Sequence, residues 1–515
     1  MFEPWELDNV DGQISLALPS QDIVIEEIPT EIFRKAETPD ASVTEAAASK
    51  EPEGIIIERH DLPGEIFLNE NQKEAVTVLA RAVSVKAGPG TGKTGTLTAR
   101  ILHLLKERGV KPSEITAVTF TNKAAAELRQ RLEKQTGGKK TVRLLNIGTF
   151  HSICLEILKE NDFECIPAQE EMLLETAGEI VKEYGLPESP SGFLRRLSLE
   201  KSGMEPSGAG KDTDENTVFH KAASEYQKRL LAEGVCDFDD LLLETLKLFK
   251  SEPKKEIGRR RFHYLLVDEF QDISPQRAAL LSALRAQNKH TSLFAVGDDW
   301  QAIYRFSGAQ LSLTTAFHHY FGEGDRSDLD TTYRFNARIG EIANRFIQQN
   351  PHQLTKPLNS LTPGDKKAVT LLAEDQLEPL LDKLSGYAKP DERILVLARY
   401  HHLKPAALEK AATRWPKLQL EFMTIHASKG QQADYVIVVG LKEGSDGFPA
   451  PARESVMEEA LLPVPEDFPD AEERRLLYVA ITRARHRVWL LFNKDEPSVF
   501  VDILKSIDVP VARKP

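Results

Sequence analysis

The sequence predicts an α/β protein with two parallel sheets in tandem, and three observations carry that expectation. Short β-branched or apolar runs such as VSVKA (83–87), ITAVTF (115–120) and YLLV (264–267) alternate with segments of helical period. Strands joined by crossover helices give this pattern. The alternation lapses over 151–250, which read as mostly helical with a Gly/Pro/Ser-rich break at 187–212, and resumes at 263–320. It resumes again over 365–495, where AVTLLA, RILVLAR, LEFMTIHA, DYVIVVGL and RVWLLF are strand candidates.

A chain of 515 residues exceeds what one hydrophobic core supports, so two to four domains are expected. Apolar content of 41% and charged content of 28% fit a soluble globular protein. No run of about 18 apolar residues signals a membrane span. The start, MFEPWELDNVDG, has no basic segment followed by an apolar one, so no signal peptide is expected and the cytoplasm is the expected compartment. Cys154, Cys165 and Cys236 show no metal-ligand spacing and read as structural thiols. Net charge is −13, from 66 basic and 79 acidic residues, so nucleic-acid binding would need a local basic groove. Residues 1–65 are acidic and rich in small residues and read as a partly disordered arm, with short strands at most near Asp22–Glu26 and Ile55–Glu58.

Taken in order, LNENQKEAVTVLARA is helical in period, VSVKA is a strand, and KTGTLTARILHLLKERG is a helix that Gly109 ends. ITAVTF is the next strand and NKAAAELRQRLEK the next helix. Between the first strand and its helix lies AGPGTGKT: Ala87, Gly88, Pro89, Gly90, Thr91, Gly92, Lys93 and Thr94. A loop of this composition between a strand and a helix is a phosphate cradle. Its glycines let backbone N–H groups close on phosphate oxygens, and the helix N-terminus adds positive charge. Lys93 is suited to the β/γ-phosphates and the Thr94 hydroxyl to Mg²⁺.

YLLVDEFQD (264–272) supplies the complementary acids. An apolar strand running into Asp268 and Glu269 presents carboxylates at its carboxyl end, where ligands of parallel sheets bind. Asp268 suits the metal, and Glu269 beside it suits polarisation of an attacking water. A small-molecule kinase would need an acceptor pocket that nothing identifies. The 175 residues between Lys93 and Asp268 and the second α/β unit are also unexplained by a kinase.

Nine segments then occur in a single order: LNENQKEAV, AGPGTGKT, AVTFTNKAAAELRQRL, IGTFHS, LLVDEFQD, VGDDWQAIYRFSGA, LDTTYRF, FMTIHASKGQQADYVIVVGL and EERRLLYVAITRARHR. In content and order this resembles the UvrD/Rep-type superfamily 1 DNA helicases over roughly 66–495. From about Tyr264 onward the likeness narrows to one bacterial branch of that family. The resemblance implies two tandem RecA-like P-loop domains: 66–320, with a helical insertion at about 152–235, and 321–515, without a large insertion. It implies an ATP-dependent helicase or translocase moving 3′→5′, with Mg²⁺, ATP, single-stranded DNA and single/double-strand junctions as its ligands and no membrane.

By the same resemblance Gln72 reads the adenine edge, Tyr333 stacks near the base, and Gln432 approaches the ribose. Gln301 senses the γ-phosphate, while Arg334 and Arg483 are arginine fingers brought by the second unit. Gln271 and Asp272 couple the acids to neighbouring motifs. Aromatics on loops after strands mark a DNA track: Phe120, Phe150, His151, Tyr304 and Phe306, with Thr121, Asn122, Arg305, Thr424 and His426 toward phosphates. The chain departs from the family pattern at Gly95, where relatives often carry Arg, at Gln432, often Glu, and at Phe306–Ser307, often Trp-Arg. A non-catalytic nucleic-acid scaffold and a translocase that strips proteins with little unwinding are the alternative readings.

Overall fold

The structure, a computed structural model, describes residues 67–515 except 137, 162, 164–165, 203–213, 252–261, 352, 357, 452–461 and 463–465. The expected arm, its two short strands and Cys165 fall outside the described residues.

The first sheet has six strands: β1 (Ala82–Ala87), β2 (Ile115–Thr119), β3 (Asn146–Thr149), β4 (Tyr264–Val267), β5 (Ser292–Gly297) and β6 (Asp325–Leu329). Their order is β3-β2-β4-β5-β1-β6, and every pairing is parallel. Helix α1 (Glu70–Thr77) precedes β1, α2 (Lys93–Lys106) follows it, and α3 (Asn122–Thr136) follows β2. α4 (Phe150–Lys159) follows β3. Leu97, Ile101 and Leu104 of α2 pack with Val83, Val85, Ala117 and Leu128. Ile153 and Ile157 of α4 pack with Leu265, Val267 and Leu293. Alternate residues of the strands thus feed two different cores, as a parallel sheet covered on both faces requires.

Three helices, α5 (Glu170–Tyr184), α6 (Pro190–Lys201) and α7 (Asp214–Ala232), enclose a core of their own around Ala177, Ile180, Phe193, Phe219 and Tyr226. The helical insertion therefore begins later than the expected 152, because α4 belongs to the first sheet's core together with α8 (Phe238–Ser251). The break expected at 187–212 contains a full helix. Ser189 caps α6 by accepting from Gly192 N at 3.1 Å, and Pro190 stands in its first turn, where a missing N–H costs nothing.

Helix α9 (Pro275–Ala286) connects β4 to β5, and α10 (Ala337–Ile347) follows β6. The second sheet comprises β7 (Val369–Ala373), β8 (Arg393–Ala398), β9 (Gln419–Thr424), β10 (Ala433–Leu441) and β11 (Ala484–Phe492), in the order β7-β11-β10-β8-β9, again all parallel. α11 (Leu377–Tyr387), α12 (Ala471–Ile481) and α13 (Val499–Ser506) cover it. All nine residues of β10 are buried, as the apolar run that follows Asp434 demands for a central strand.

The expected division at residue 320 is corrected by β6, which lies beyond it yet pairs with β1. Its sequence, DRSDL, exposes three of five residues. An edge strand needs no apolar run, so this one is silent to periodicity. The two units share a core: Trp300 and Ile303, from the loop after β5, pack with Phe335, Ile339, Val436 and Tyr478. Among the described residues no helix is long and apolar enough to cross a membrane.

Candidate functional site

β1 ends at Ala87, and the next five residues, Gly88–Gly92, wrap into α2. Gly92 stands at the helix N-cap with φ +84° and no side chain to cap the first turn. Its N–H groups therefore remain available to an anion. Gly90, at φ +77°, lies so close to Arg334 that a Cβ would collide with that side chain. Thr332 Oγ1 donates to Pro89 O at 2.8 Å and Tyr333 N to Gly90 O at 3.0 Å, so the segment after β6 clamps the loop from outside.

Thr94 Oγ1 donates to Asp268 Oδ2 at 3.3 Å. These two hard oxygens, on α2 and at the tip of β4, suit a small divalent cation that takes its remaining ligands from phosphate and water. Immediately after β4 the backbone turns left-handed at Glu269, φ +49°, a strained conformation for a non-glycine residue that recurs at functional sites. The four polar residues at the tip thereby reach different partners. Gln271 Nε2 donates to Glu269 Oε2 at 2.6 Å, and Gln271 Oε1 accepts from Asp298 N at 2.7 Å. Asp272 accepts from Lys429 Nζ at 2.7 and 2.6 Å.

Burial and the adjacent Glu269 push Asp268 upward against the pull of Lys93. Burial acts on Glu269 in the same sense, but Lys93 and Lys429 outweigh it and hold that carboxyl below its usual range. An ionised Glu269 is the form a base requires. Burial also pushes Asp272 up to about 6, opposed by Lys429.

The second unit supplies the arginines. Arg483 Nη2 donates to Gln301 Oε1 at 3.0 Å, while its Nε is held by Val479 O at 2.9 Å. Desolvation, then the charge of Arg334, push its guanidinium down to about 9. Arg334 Nη1 reaches Thr482 O at 3.4 Å, and its buried Nε has no hydrogen-bond partner. Burial lowers Arg334 too, with Glu269 acting the other way. Two desolvated guanidiniums side by side are unfavourable unless a further anion lies between them. Lys93 Nζ stands 3.7 Å from Asp298 Oδ2.

Gln72, expected at the adenine edge, has part of its amide engaged within the protein. It closes a capping box with Asn69, its Oε1 accepting from Asn69 N at 2.9 Å, and its Nε2 donates to Thr91 O at 2.9 Å. One N–H and one lone pair of the amide remain. Tyr333 lies beside it, 56% exposed, its hydroxyl accepting from Asn69 Nδ2 at 3.1 Å. Gln432 is exposed and follows Gln431, whose carbonyl accepts from Arg483 Nη1 at 3.3 Å.

Along the expected DNA track the residues divide. Tyr304, Phe306 and His426 form one half-buried cluster, with ring centroids 5.5–6.2 Å apart, and Lys429 Nζ lies 4.7 Å over the Tyr304 ring. Phe306 comes from the loop after β5 and His426 from the turn after β9, so the cluster joins the two units. Phe150 is corrected: it is 3% exposed and packs in the first sheet's core. Phe150 and His151 open α4 instead of lying on a loop, because Thr149 caps that helix immediately. Phe120 is half-buried over Phe150, and His151 packs edge-on against Phe238. Burial, then Arg277, push His151 down to about 4. Thr121 and Asn122 are exposed at the start of α3. Thr121 and Thr424 each cap a turn, accepting from Ala124 N and Ala427 N, and Arg305 N donates to Glu472. A pocket of about 230 Å³ opens beside Phe306, lined in part by Arg195, Gln276 and Arg277.

Residues 68–322 match the UvrD/REP helicase N-terminal domain, and residues 377–495 match the UvrD-like helicase C-terminal domain. The chain belongs to the UvrD/REP helicase family. Its similarity to DNA helicase IV of Escherichia coli K12 is 53% identity over 495 residues, covering 87% of this chain and 71% of that protein. That match reaches back through the first half, beyond the region from Tyr264 where the sequence suggested the narrower likeness. A probable DNA helicase of Mycoplasma pneumoniae is 30% identical over 85% of this chain and 87% of its own length. The ATP-dependent DNA helicase PcrA of Bacillus subtilis is 34% identical over 58% of this chain, which spans only 41% of that protein.

Within this family member, two site lysines carried no sequence signal strong enough to single them out. Lys429 sits in the quoted FMTIHASKG segment and bridges to Asp272. Lys356 lies in a stretch without motif character, yet its buried ammonium pairs with Asp298 and Asp299, each at 2.5 Å.

Proposed function

We propose that this chain is a 3′→5′ single-strand DNA motor that unwinds duplex by coupling ATP hydrolysis to closure of its two sheets. Membership of the UvrD/REP helicase family makes it an ATP-dependent DNA helicase; direction, junction preference and the residue roles are the finer reading. In this reading its working compartment is the cytoplasm. The single observation that carries the mechanism is the 3.0 Å contact between Arg483 Nη2 and Gln301 Oε1. It joins the unit that brings arginines to the unit that holds the phosphate loop.

In this reading the loop N–H groups and Lys93 bind the β/γ-phosphates, and Thr94 and Asp268 hold Mg²⁺. Held there by Thr94 and Asp268, such an ion would supply charge neutralisation for the phosphates. Glu269, kept ionised by Lys93 and Lys429, accepts a proton from the attacking water. Arg334 and Arg483 lie opposite and compensate the charge that develops on the transferred phosphoryl group. Tyr333 stacks on the base, with Gln72 and Gln432 completing its surroundings. Gln301 reports the γ-phosphate to the DNA side, where Tyr304, Phe306 and His426 stack bases regardless of sequence. Phe120, His151, Thr121, Asn122, Arg305 and Thr424 extend that track.

The deciding experiment measures ATPase rate with and without single-stranded DNA, then unwinding of duplexes tailed at the 3′ or the 5′ end. Strong stimulation and unwinding of the 3′-tailed substrate are expected. DNA-stimulated ATPase without unwinding of either substrate would favour a translocase that strips proteins.

A further inference from the structure

We infer that Lys356 is a positioning residue of the nucleotide site: it neutralises Asp298 so that Lys93 is free to move onto phosphate. This rests on the reading of Lys93 as the phosphate-binding lysine.

Lys356 belongs to the segment between α10 and the two-residue strand Asn359–Ser360. That segment is fastened to the loop after β5. Trp300 Nε1 donates to Leu354 O at 2.9 Å, and Leu354 N donates to Asp299 Oδ2 at 3.1 Å. The segment also lies under the phosphate loop, since a Cβ on Gly88 would come within 2.8 Å of Leu358 Cδ1. From this strap the Lys356 ammonium enters a buried position. It pairs with Asp298 Oδ1 and Asp299 Oδ1, donates to Ala87 O at 3.3 Å, and stands 4.9 Å over the Trp300 ring. Ala87 is the residue from which the phosphate loop departs.

Asp298 is fully buried and faces two lysines. Lys356 is on Oδ1 at 2.5 Å, and Lys93 is on the Oδ2 side at 3.7 Å. Oδ2 also accepts from Gln301 Nε2, and Asp298 N donates to Gln271 Oε1. When Lys93 turns to a phosphate it gives up its share of this carboxylate. A buried carboxylate left without a cation is strongly unfavourable, and that cost would be subtracted from nucleotide affinity. Lys356 offsets it, because its ammonium, shared with Asp299, stays on Asp298 throughout.

The test compares wild type, Lys356→Met, and Lys356→Met combined with Asp298→Asn. The readouts are equilibrium binding of a non-hydrolysable ATP analogue, steady-state ATPase, and single-strand DNA affinity without nucleotide. Lys356→Met is expected to weaken analogue binding and raise KM for ATP by at least about tenfold. DNA affinity should stay within about twofold, and kcat at saturating ATP should be largely retained. The double variant should regain most of the lost analogue affinity, because no carboxylate then competes for Lys93. A purely structural lysine would lower DNA affinity and kcat together and would not be rescued. Unchanged analogue affinity in Lys356→Met, or a double variant as weak as the single one, overturns the inference. If Lys356→Met no longer binds DNA, Lys356→Gln, which keeps a polar side chain but no charge, replaces it; wild-type analogue affinity there overturns the inference, and a several-fold loss with normal DNA binding supports it. A wild-type protein that binds the analogue but shows no DNA-stimulated ATPase sinks the motor reading and leaves the binding comparison to decide Lys356.

Discussion

Asp272 and Lys429, 157 residues apart in sequence, meet in a buried ion pair with both carboxylate oxygens engaged, at 2.7 and 2.6 Å. The same ammonium donates to Gln301 O at 2.8 Å and lies over the Tyr304 ring. One side chain therefore touches the strand that carries Asp268 and Glu269, the loop that carries Gln301, and the aromatic cluster assigned to DNA. Removing it in Lys429→Ala leaves Asp272 buried without its ion-pair partner, with only the positive charge of Arg277 still acting on it, a loss of up to about 3–5 kcal/mol. The urea midpoint should fall, and DNA-stimulated ATPase should drop far more than basal ATPase. Equal losses in the two rates would show that Lys429 supports the fold alone.

The same pair predicts a pH dependence. Asp272 sits at about 6, above the ordinary aspartate value of about 3.9. The ion pair is therefore intact above pH 6 and lost as pH falls through it. Between about pH 4 and 6 the folded protein holds a proton that the unfolded chain releases, so acidification does not destabilise the fold through this group. DNA stimulation should fall on an acid limb near pH 6 while the urea midpoint holds, and Asp272→Asn should flatten that limb. A limb unchanged by this substitution would assign it elsewhere.

Lys93→Ala should abolish nucleotide turnover. No other side chain of the loop brings a cation to the phosphates, and Lys356 is committed to Asp298, Asp299 and Ala87. Near-normal ATPase in this variant would end the motor reading.

Glu269→Gln should bind ATP and DNA but stall hydrolysis, because the amide keeps the shape and loses the base. Analogue binding and single-turnover hydrolysis separate the two effects. An affinity loss as large as the rate loss would make Glu269 a binding residue.

Phe306→Ala and Phe150→Ala should part company, although both residues lie in motifs assigned to DNA. Phe306 belongs to the half-buried cluster with Tyr304 and His426, so its loss should weaken single-strand binding by about 1–3 kcal/mol at unchanged stability. Phe150 is core, so its loss should destabilise by about 3–5 kcal/mol. Fluorescence anisotropy with labelled DNA and urea unfolding read the two quantities, and unchanged DNA affinity in Phe306→Ala would redraw the track.

Arg483→Ala removes the contact to Gln301 and should bind ATP and DNA while losing about 10³–10⁵ in hydrolysis rate. Arg485, two residues on, is exposed and pairs with Asp434 at 3.4 Å, so Arg485→Ala should be mild. Equal losses would indicate damage to the turn between α12 and β11, and normal turnover in Arg483→Ala would remove the finger assignment.

What the sequence determined by itself is whatever is written locally. AGPGTGKT between a strand and a helix, YLLV running into Asp268 and Glu269, and the apolar run of β10 from Tyr435 onward each state their structure within a dozen residues. Backbone conformation and period-2 burial are local properties, so the parallel α/β character and the phosphate loop were legible. The polar edge strand β6 was not, since an edge strand needs no apolar pattern, and neither was α6, whose Pro190 looked like a break but occupies a helix start. Burial is not local either: Phe150 and Phe306 are alike in sequence context, and only packing made one core and left the other half-exposed. Tertiary structure alone decided that Lys429 meets Asp272, that Lys356 meets Asp298, and that Gln72 spends its amide on Thr91 and Asn69. A buried charge is tolerated only beside its partner, and that partner can lie anywhere in the chain, so no stretch of sequence announces it.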